Sequence, residues 1–111
     1  MFGLFSRTPV KDLEAEEVAA ELAADRIMLV DVREPNETAQ ERIPGAVLMP
    51  LSQFDPAKIP DPHGREVVFS CRSGVRSVTA SRKAQAAGLP YGAHLAGGLL
   101  AWKAAGLPTE S

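Results

Sequence analysis

Cys71 is the only cysteine in the chain, and the six residues after it are Arg72, Ser73, Gly74, Val75, Arg76 and Ser77. The segment lies between an apolar run, Val67-Val68-Phe69, and a helix-forming stretch. A tight turn in that position aims successive backbone N–H groups inward as a nest for an anion. The helix behind it adds free N–H groups and the positive end of its dipole. A thiol in such a field gives up its proton more readily, and the thiolate is the nucleophile. Gly74 permits the tight turn, and Arg72 and Arg76 bring positive charge to the place where an anion enters. The expected chemistry is anion binding followed by attack through sulfur. Free cysteines are commonly small buried hydrophobes. A core cysteine, however, has no use for a glycine, two arginines and two serines in the next six positions.

The elements that must position this loop follow from pattern. Asp12 to Ala24 reads as a helix, with Ala15, Val18, Ala19 and Leu22 at helical spacing, Asp12 as cap and acidic residues in the first turn. Ile27 to Val32 is an apolar run of strand length, as expected for a strand covered on both faces. Arg33 to Glu41 is a polar short helix or helical turn, and Pro44-Gly45 turns the chain into a brief apolar segment, Ala46 to Met49. Pro50, Pro56, Pro60 and Pro62 make the stretch to Gly64 a connector. After the cysteine loop a helix is expected from about Val75 to Ala87, stopped by Gly88 and Pro90. A short strand over Tyr91–Leu95 and a helix over Leu99–Ala105 complete the chain, the helix ending at Gly106. Alternating strands and helices imply an α/β fold with a parallel sheet. In such sheets ligands bind beyond the carboxyl ends of the strands. Two strand ends carry unusual chemistry: Asp31 with Arg33, and Cys71 with its loop.

The 111 residues allow one domain, and 45% apolar content suits a globular chain with one core. A net charge of -2 and the absence of any Lys/Arg run argue against a nucleic-acid binder. One cysteine excludes an internal disulfide, and one Cys with His63 and His94 is too small a donor set for a structural zinc site. No metal and no cofactor is expected. No run approaches the length of a membrane span, and the first residues lack the apolar core of a secretory signal, so a cytoplasmic location, where a free thiol persists, is the expectation. Gly97 and Gly98 read as a turn and a close helix approach, since no phosphate-binding glycine pattern is present.

Four motifs together resemble the single-domain rhodaneses over about Leu13 to Pro108. They are Leu29-Val-Asp-Val-Arg-Glu-Pro35 with Glu37, Ile43-Pro-Gly-Ala46, the loop Cys71 to Ser77, and Leu95-Ala-Gly-Gly-Leu-Leu-Ala-Trp102 followed by Gly106-Leu-Pro108. One departure is visible: Glu41-Arg42 stands where the family usually has Gly-His. The resemblance implies a three-layer α/β/α rhodanese-like fold with a central, mainly parallel sheet of about five strands. The domain would span residues 8–111, with residues 1–7 as an extension whose Phe2, Leu4 and Phe5 form an apolar tip. It implies a sulfurtransferase working by a ping-pong mechanism. The Cys71 thiolate takes sulfane sulfur from thiosulfate, polysulfide or a persulfide and passes it from a Cys71 persulfide to a thiol or cyanide. A protein acceptor also fits, and no nucleic-acid or membrane partner is implied.

Within that reading, Cys71 is the catalytic residue and Arg72, Ser73, Gly74, Val75 and Arg76 form the anion-binding loop. Arg72 steers the sulfonate end of thiosulfate, and Ser73, Gly74 and Val75 give mainly backbone N–H groups. Asp31, Arg33, Glu37 and Ser77 support it: Asp31 accepts hydrogen bonds from the loop or an arginine, Arg33 and Glu37 pair at i,i+4, and Ser77 caps or supports the helix. Arg76 is expected to pin the loop to Asp31 or Glu37. Trp102 is expected to pack in the core with its N–H satisfied, and neither histidine stands out as a general base. Two other readings compete. A non-catalytic sulfur carrier or regulatory module would reuse the same fold. A phosphatase or arsenate reductase of related type would use C-x5-R, whereas Cys71 to Arg76 is C-x4-R, a smaller ring suited to one sulfur atom.

Overall fold

The computed structural model describes residues 9–111, so the apolar tip expected at Phe2, Leu4 and Phe5 lies outside the described residues. Strands β1 (Lys11–Leu13), β2 (Ile27–Asp31), β3 (Val47–Leu48), β4 (Glu66–Ser70) and β5 (Ala93–Leu95) form one sheet in the order β1-β5-β4-β2-β3. Every neighbouring pair is parallel. Helices α1 (Ala15–Ala23), α2 (Pro35–Thr38), α3 (Arg76–Ala86) and α4 (Gly98–Ala104) alternate with the strands, and two short 3-10 turns occupy the proline-rich connector.

Side-chain alternation along the central strands divides the core in two. Ile27 and Leu29 of β2 and Val68 of β4 pack with Val18 of α1 and Leu99 and Trp102 of α4. Met28, Val30, Val67 and Phe69 point to the other face and pack with Ala80 and Ala84 of α3. Successive strand residues face opposite ways, so a strand buried on both sides must be apolar throughout. That accounts for the unbroken runs in the sequence. Trp102 is buried, and its indole N–H donates to the Pro108 carbonyl at 2.8 Å.

The first expected helix begins later than its pattern implied. Lys11, Asp12 and Leu13 pair with Ala93, His94 and Leu95 as an edge strand, and Glu14, without a side-chain bond, holds the N-cap position of α1. Asp12 is therefore no helix cap. Pairing with a distant strand outweighs a local helical pattern three residues long. The substituted Glu41-Arg42 pair ties down the chain's last residues. Glu41 accepts from Lys103 at 2.8 Å and Thr109 at 2.7 Å, and Arg42 and Glu110 exchange backbone hydrogen bonds of 2.8 Å. Among the described residues no helix is long and apolar enough to cross a membrane.

Candidate active site

Adjacent strands β2 and β4 run in register, Asp31 beside Ser70, so the two chemically marked strand ends meet at the carboxyl end of the sheet's interior strands. Cys71 follows β4 directly and is 1% exposed. Its sulfur accepts the backbone N–H of Gly74 at 3.1 Å and of Ser77 at 3.4 Å, and the Ser77 hydroxyl stands 3.5 Å away. Gly74 reaches this geometry at φ +105°, a left-handed conformation that disfavours side chains. A Cβ there would also come within 3.2 Å of the Gly97 nitrogen.

The loop is held from behind by α4. Leu99 N–H donates to the Cys71 carbonyl at 2.9 Å and Leu100 N–H to the Arg72 carbonyl at 3.1 Å. Each peptide's N–H points opposite its carbonyl. Drawing the Arg72 carbonyl to α4 therefore turns the Ser73 amide away from α4, and that amide is among those that act on the sulfur. Gly98 is what permits the approach: at φ +58°, a Cβ on it would overlap the Cys71 carbonyl and come 2.6 Å from the Arg72 carbonyl.

Burial pushes the Cys71 thiol up and is the largest single influence on it. Hydrogen bonds from the Ser77 hydroxyl and the amides of Ser77, Gly74 and Ser73 together outweigh burial, and the thiol lies below its ordinary value. The arginines divide between structure and surface. Arg33 does not pair with Glu37. It forms a buried two-pronged bond with Asp31, at 3.1 and 2.8 Å, and reaches the Glu41 carbonyl at 2.9 Å. A carboxylate two residues away on the end of the same strand reaches the guanidinium before one on the next helical turn. Glu37 pairs instead with Arg76, at 2.7 and 3.0 Å, and also accepts the Glu34 N–H. The Arg76 hydrogen bonds hold the Glu37 carboxyl at about 2, against the opposing effect of its partial burial.

Arg72 is exposed and helps line an open cleft of about 340 Å³ with Arg33, Glu37, Gln40, Glu41 and Leu99. All the residues expected at the site therefore gather around one strand-to-helix junction, with Val75 exposed on its outer side. Ser77 differs from the expectation in one respect. It lies in the first turn of α3 without capping it, because its hydroxyl turns inward between Cys71 and His94 Nδ1, the latter at 2.8 Å. The other ring nitrogen of His94 meets Asp12 at 2.7 Å. Asp12 and His94 are thus the site residues that pattern alone missed. The available signal was a histidine inside a short apolar strand, where an unpaired imidazole is costly.

A family model for the rhodanese-like domain matches residues 14–105. Over 85 residues the chain is 47% identical to an uncharacterized protein of Synechocystis sp., a match covering 77% of this chain and 48% of that one. The chain thus spans about half the length of this relative. It is 36% identical over 100 residues to a protein named sulfurtransferase in Allochromatium vinosum, covering 89% of this chain and 94% of the relative. A solved structure from Rhodopseudomonas palustris, a protein of unknown function described as a possible tyrosine phosphatase, superposes with a TM-score of 0.76 at 32% identity. That alignment covers 91% of this chain and 85% of the other.

Proposed function

The chain belongs to the rhodanese-like domain family, and on that basis we propose that it is a sulfurtransferase in which Cys71 carries the sulfur. The observation that carries the reading is the convergence of two amides and a hydroxyl on one sulfur atom, Gly74 N at 3.1 Å, Ser77 N at 3.4 Å and Ser77 Oγ at 3.5 Å. The two amides are donors fixed by the backbone and stabilise charge on that atom without rearranging. The Cys71 thiolate attacks the outer sulfur of thiosulfate, and the S–S electron pair leaves with sulfite. The product, a Cys71 persulfide, is also an anion and is served by the same N–H groups. A thiolate or cyanide then attacks the terminal sulfur, and the electron pair of the broken bond returns to Cys71 as thiolate. This is covalent catalysis by an activated nucleophile, with no external base needed at the attacking step.

Arg72 stands at the cleft mouth with no carboxylate bonded to it among the described residues, so it is the cation available to the sulfonate of thiosulfate or the carboxylates of a glutathione persulfide. Arg76 and Arg33 are already committed to Glu37 and Asp31 and shape the loop rather than meet substrate. A reducing compartment such as the cytoplasm suits the chemistry, because the lone thiol stays free there. The phosphatase suggested for the Rhodopseudomonas palustris relative fits this chain less well. Its C-x4-R loop closes its amides on the sulfur itself and is one residue short of the C-x5-R ring.

Thiocyanate formation from thiosulfate and cyanide tests the proposal, with Cys71→Ser as control. Turnover by the native chain and background rates in the variant are expected, with no hydrolysis of an aryl phosphate by either. Equal rates in the two proteins would refute the proposal. Uptake of sulfur without its release would instead mark a carrier module.

A further inference from the structure

We propose that Ser77, His94 and Asp12 form a proton relay that accepts the proton of the Cys71 thiol and holds it as an imidazolium–carboxylate pair while the sulfur acts as an anion. The groups form one chain of contacts that runs from the cysteine loop through α3 and β5 to β1. Cys71 Sγ is 3.5 Å from Ser77 Oγ, that oxygen is 2.8 Å from His94 Nδ1, and His94 Nε2 is 2.7 Å from Asp12 Oδ1. Ser77 is 0% and His94 4% exposed, so water does not compete along the inner path, whereas the Asp12 side chain is 69% exposed and opens the far end to solvent.

Valence fixes how the relay works. The Asp12 carboxylate only accepts, so His94 Nε2 carries a hydrogen. On a neutral ring Nδ1 is then a bare lone pair, and the Ser77 hydroxyl must donate to it. The serine therefore presents a lone pair to Cys71, and the S–H bond donates to Oγ. As the Sγ–H bond breaks, its electron pair stays on sulfur and its proton goes to Oγ. The former Oγ–H bond breaks in turn, and that proton forms an N–H bond at Nδ1. The result is a thiolate, an intact hydroxyl now donating to it, and an imidazolium bonded to the Asp12 carboxylate. Net charge and electron count are unchanged, and no oxidant or reductant takes part.

The charges that face His94 agree with this assignment. From β1 comes Asp12, while the neighbouring Lys11 is bound to Glu66 of β4 at 3.2 Å. From the loop comes Cys71. From α3 comes Ser77, and Arg76 beside it is held by Glu37 at 2.7 Å. Phe69 of β4 lies opposite His94 in the register, and the loop crown lies against the ring, a Cβ on Gly74 falling 3.6 Å from Cε1. Among the described residues Asp12 is the one carboxylate bonded to the imidazole. A sheet-edge aspartate, 82 residues from His94 in sequence, is thereby wired to the nucleophile. Asp12 and His94 are positioning residues that act through Ser77.

The inference rests on the reading of Cys71 as the nucleophile, but its test reads the thiol and not sulfur transfer. The rate of Cys71 alkylation by iodoacetamide is measured against pH in the native chain, in His94→Asn and in Asp12→Asn. In strong alkali, where the thiol ionises with or without the relay, the three proteins should react alike. Near neutrality His94→Asn should react about tenfold more slowly, because its thiol holds the proton more tightly and less thiolate is present to react, and Asp12→Asn should fall in between. Superimposable profiles, or a variant slowed by the same factor at every pH, would overturn the relay. The exposed Asp12 can be changed without opening the core, so that variant decides the matter even if His94→Asn does not fold. Superimposable profiles with intact thiocyanate formation would remove the relay alone. Altered profiles without sulfur uptake would remove the sulfurtransferase reading alone.

Discussion

Cys71 is poised between burial, which favours the thiol, and the Ser77 hydroxyl and surrounding amides, which favour the thiolate. Removing one of those donors should move the balance visibly. Ser77→Ala keeps the residue 77 amide but deletes the hydroxyl, and a hydrogen bond to a charged partner contributes about 1.5–3 kcal/mol. Cys71 alkylation at neutral pH is therefore expected to drop by about tenfold or more, measured as a rate against pH. Arg72 makes a different kind of contribution. Arg72→Ala should raise the KM for thiosulfate with little change in kcat, because the cation acts on encounter and not on the reacting sulfur. Added salt should raise the KM of the native chain more than that of the variant. The cysteine loop was legible because Cys71 to Ser77 are contiguous, and their types alone imply an anion nest. His94 and Asp12 were not, since only the pairing of β1 with β5 brings residues 82 apart into one hydrogen-bonded line.

Helix α4 clamps the loop through Gly98, and no side chain can be added there without moving the backbone of residues 71 and 72. Gly98→Ala is expected to cost roughly 2 kcal/mol or more of stability, combining left-handed strain with overlap against rigid backbone. It should also slow alkylation of Cys71 by displacing the amides; unchanged melting and thiol reactivity would contradict the clamp. Between α2 and α3 the Glu37–Arg76 pair plays a similar tying role. The folded carboxyl, at about 2, lies below its ordinary 4.5, so its contribution is fully present above about pH 4.5 and is lost as pH falls towards 2. The pair is partly solvent-screened, which limits it to about 1 kcal/mol. Urea melts of Glu37→Gln should thus fall below the native chain by that amount at pH 7 and converge with it near pH 2. Helix α3 was legible to within one residue at each end, Arg76–Ala86 against an expected 75–87, because Gly88 and Pro90 stop it. Strand β1 was not, because three residues beside a helical pattern carry too little local signal.

The molecule as a whole is a sheet covered on both faces, and its central strands hold the two cores together. Leu29→Ala on β2 removes a fully buried side chain and should cost about 2–5 kcal/mol, read as a shift in urea midpoint at constant slope. The α/β class was legible because the elements alternate along the chain, and parallel pairing follows from that alternation. Strand order was not, because the sequence does not state which strand crosses over which; the order β1-β5-β4-β2-β3 emerges only from packing two apolar strands at the centre. That order places β4 between β2 and β5, so the cysteine loop meets Asp31 and Arg33 on one side and His94 on the other. The claim on which all this turns is that the Cys71 sulfur receives and holds a second sulfur atom. Intact-protein mass spectrometry after exposure to thiosulfate tests it directly. A gain of one sulfur atom, confined to Cys71, reversed by cyanide and absent from Cys71→Ser, is the expected result. An unchanged mass across thiosulfate, polysulfide and glutathione persulfide would contradict it.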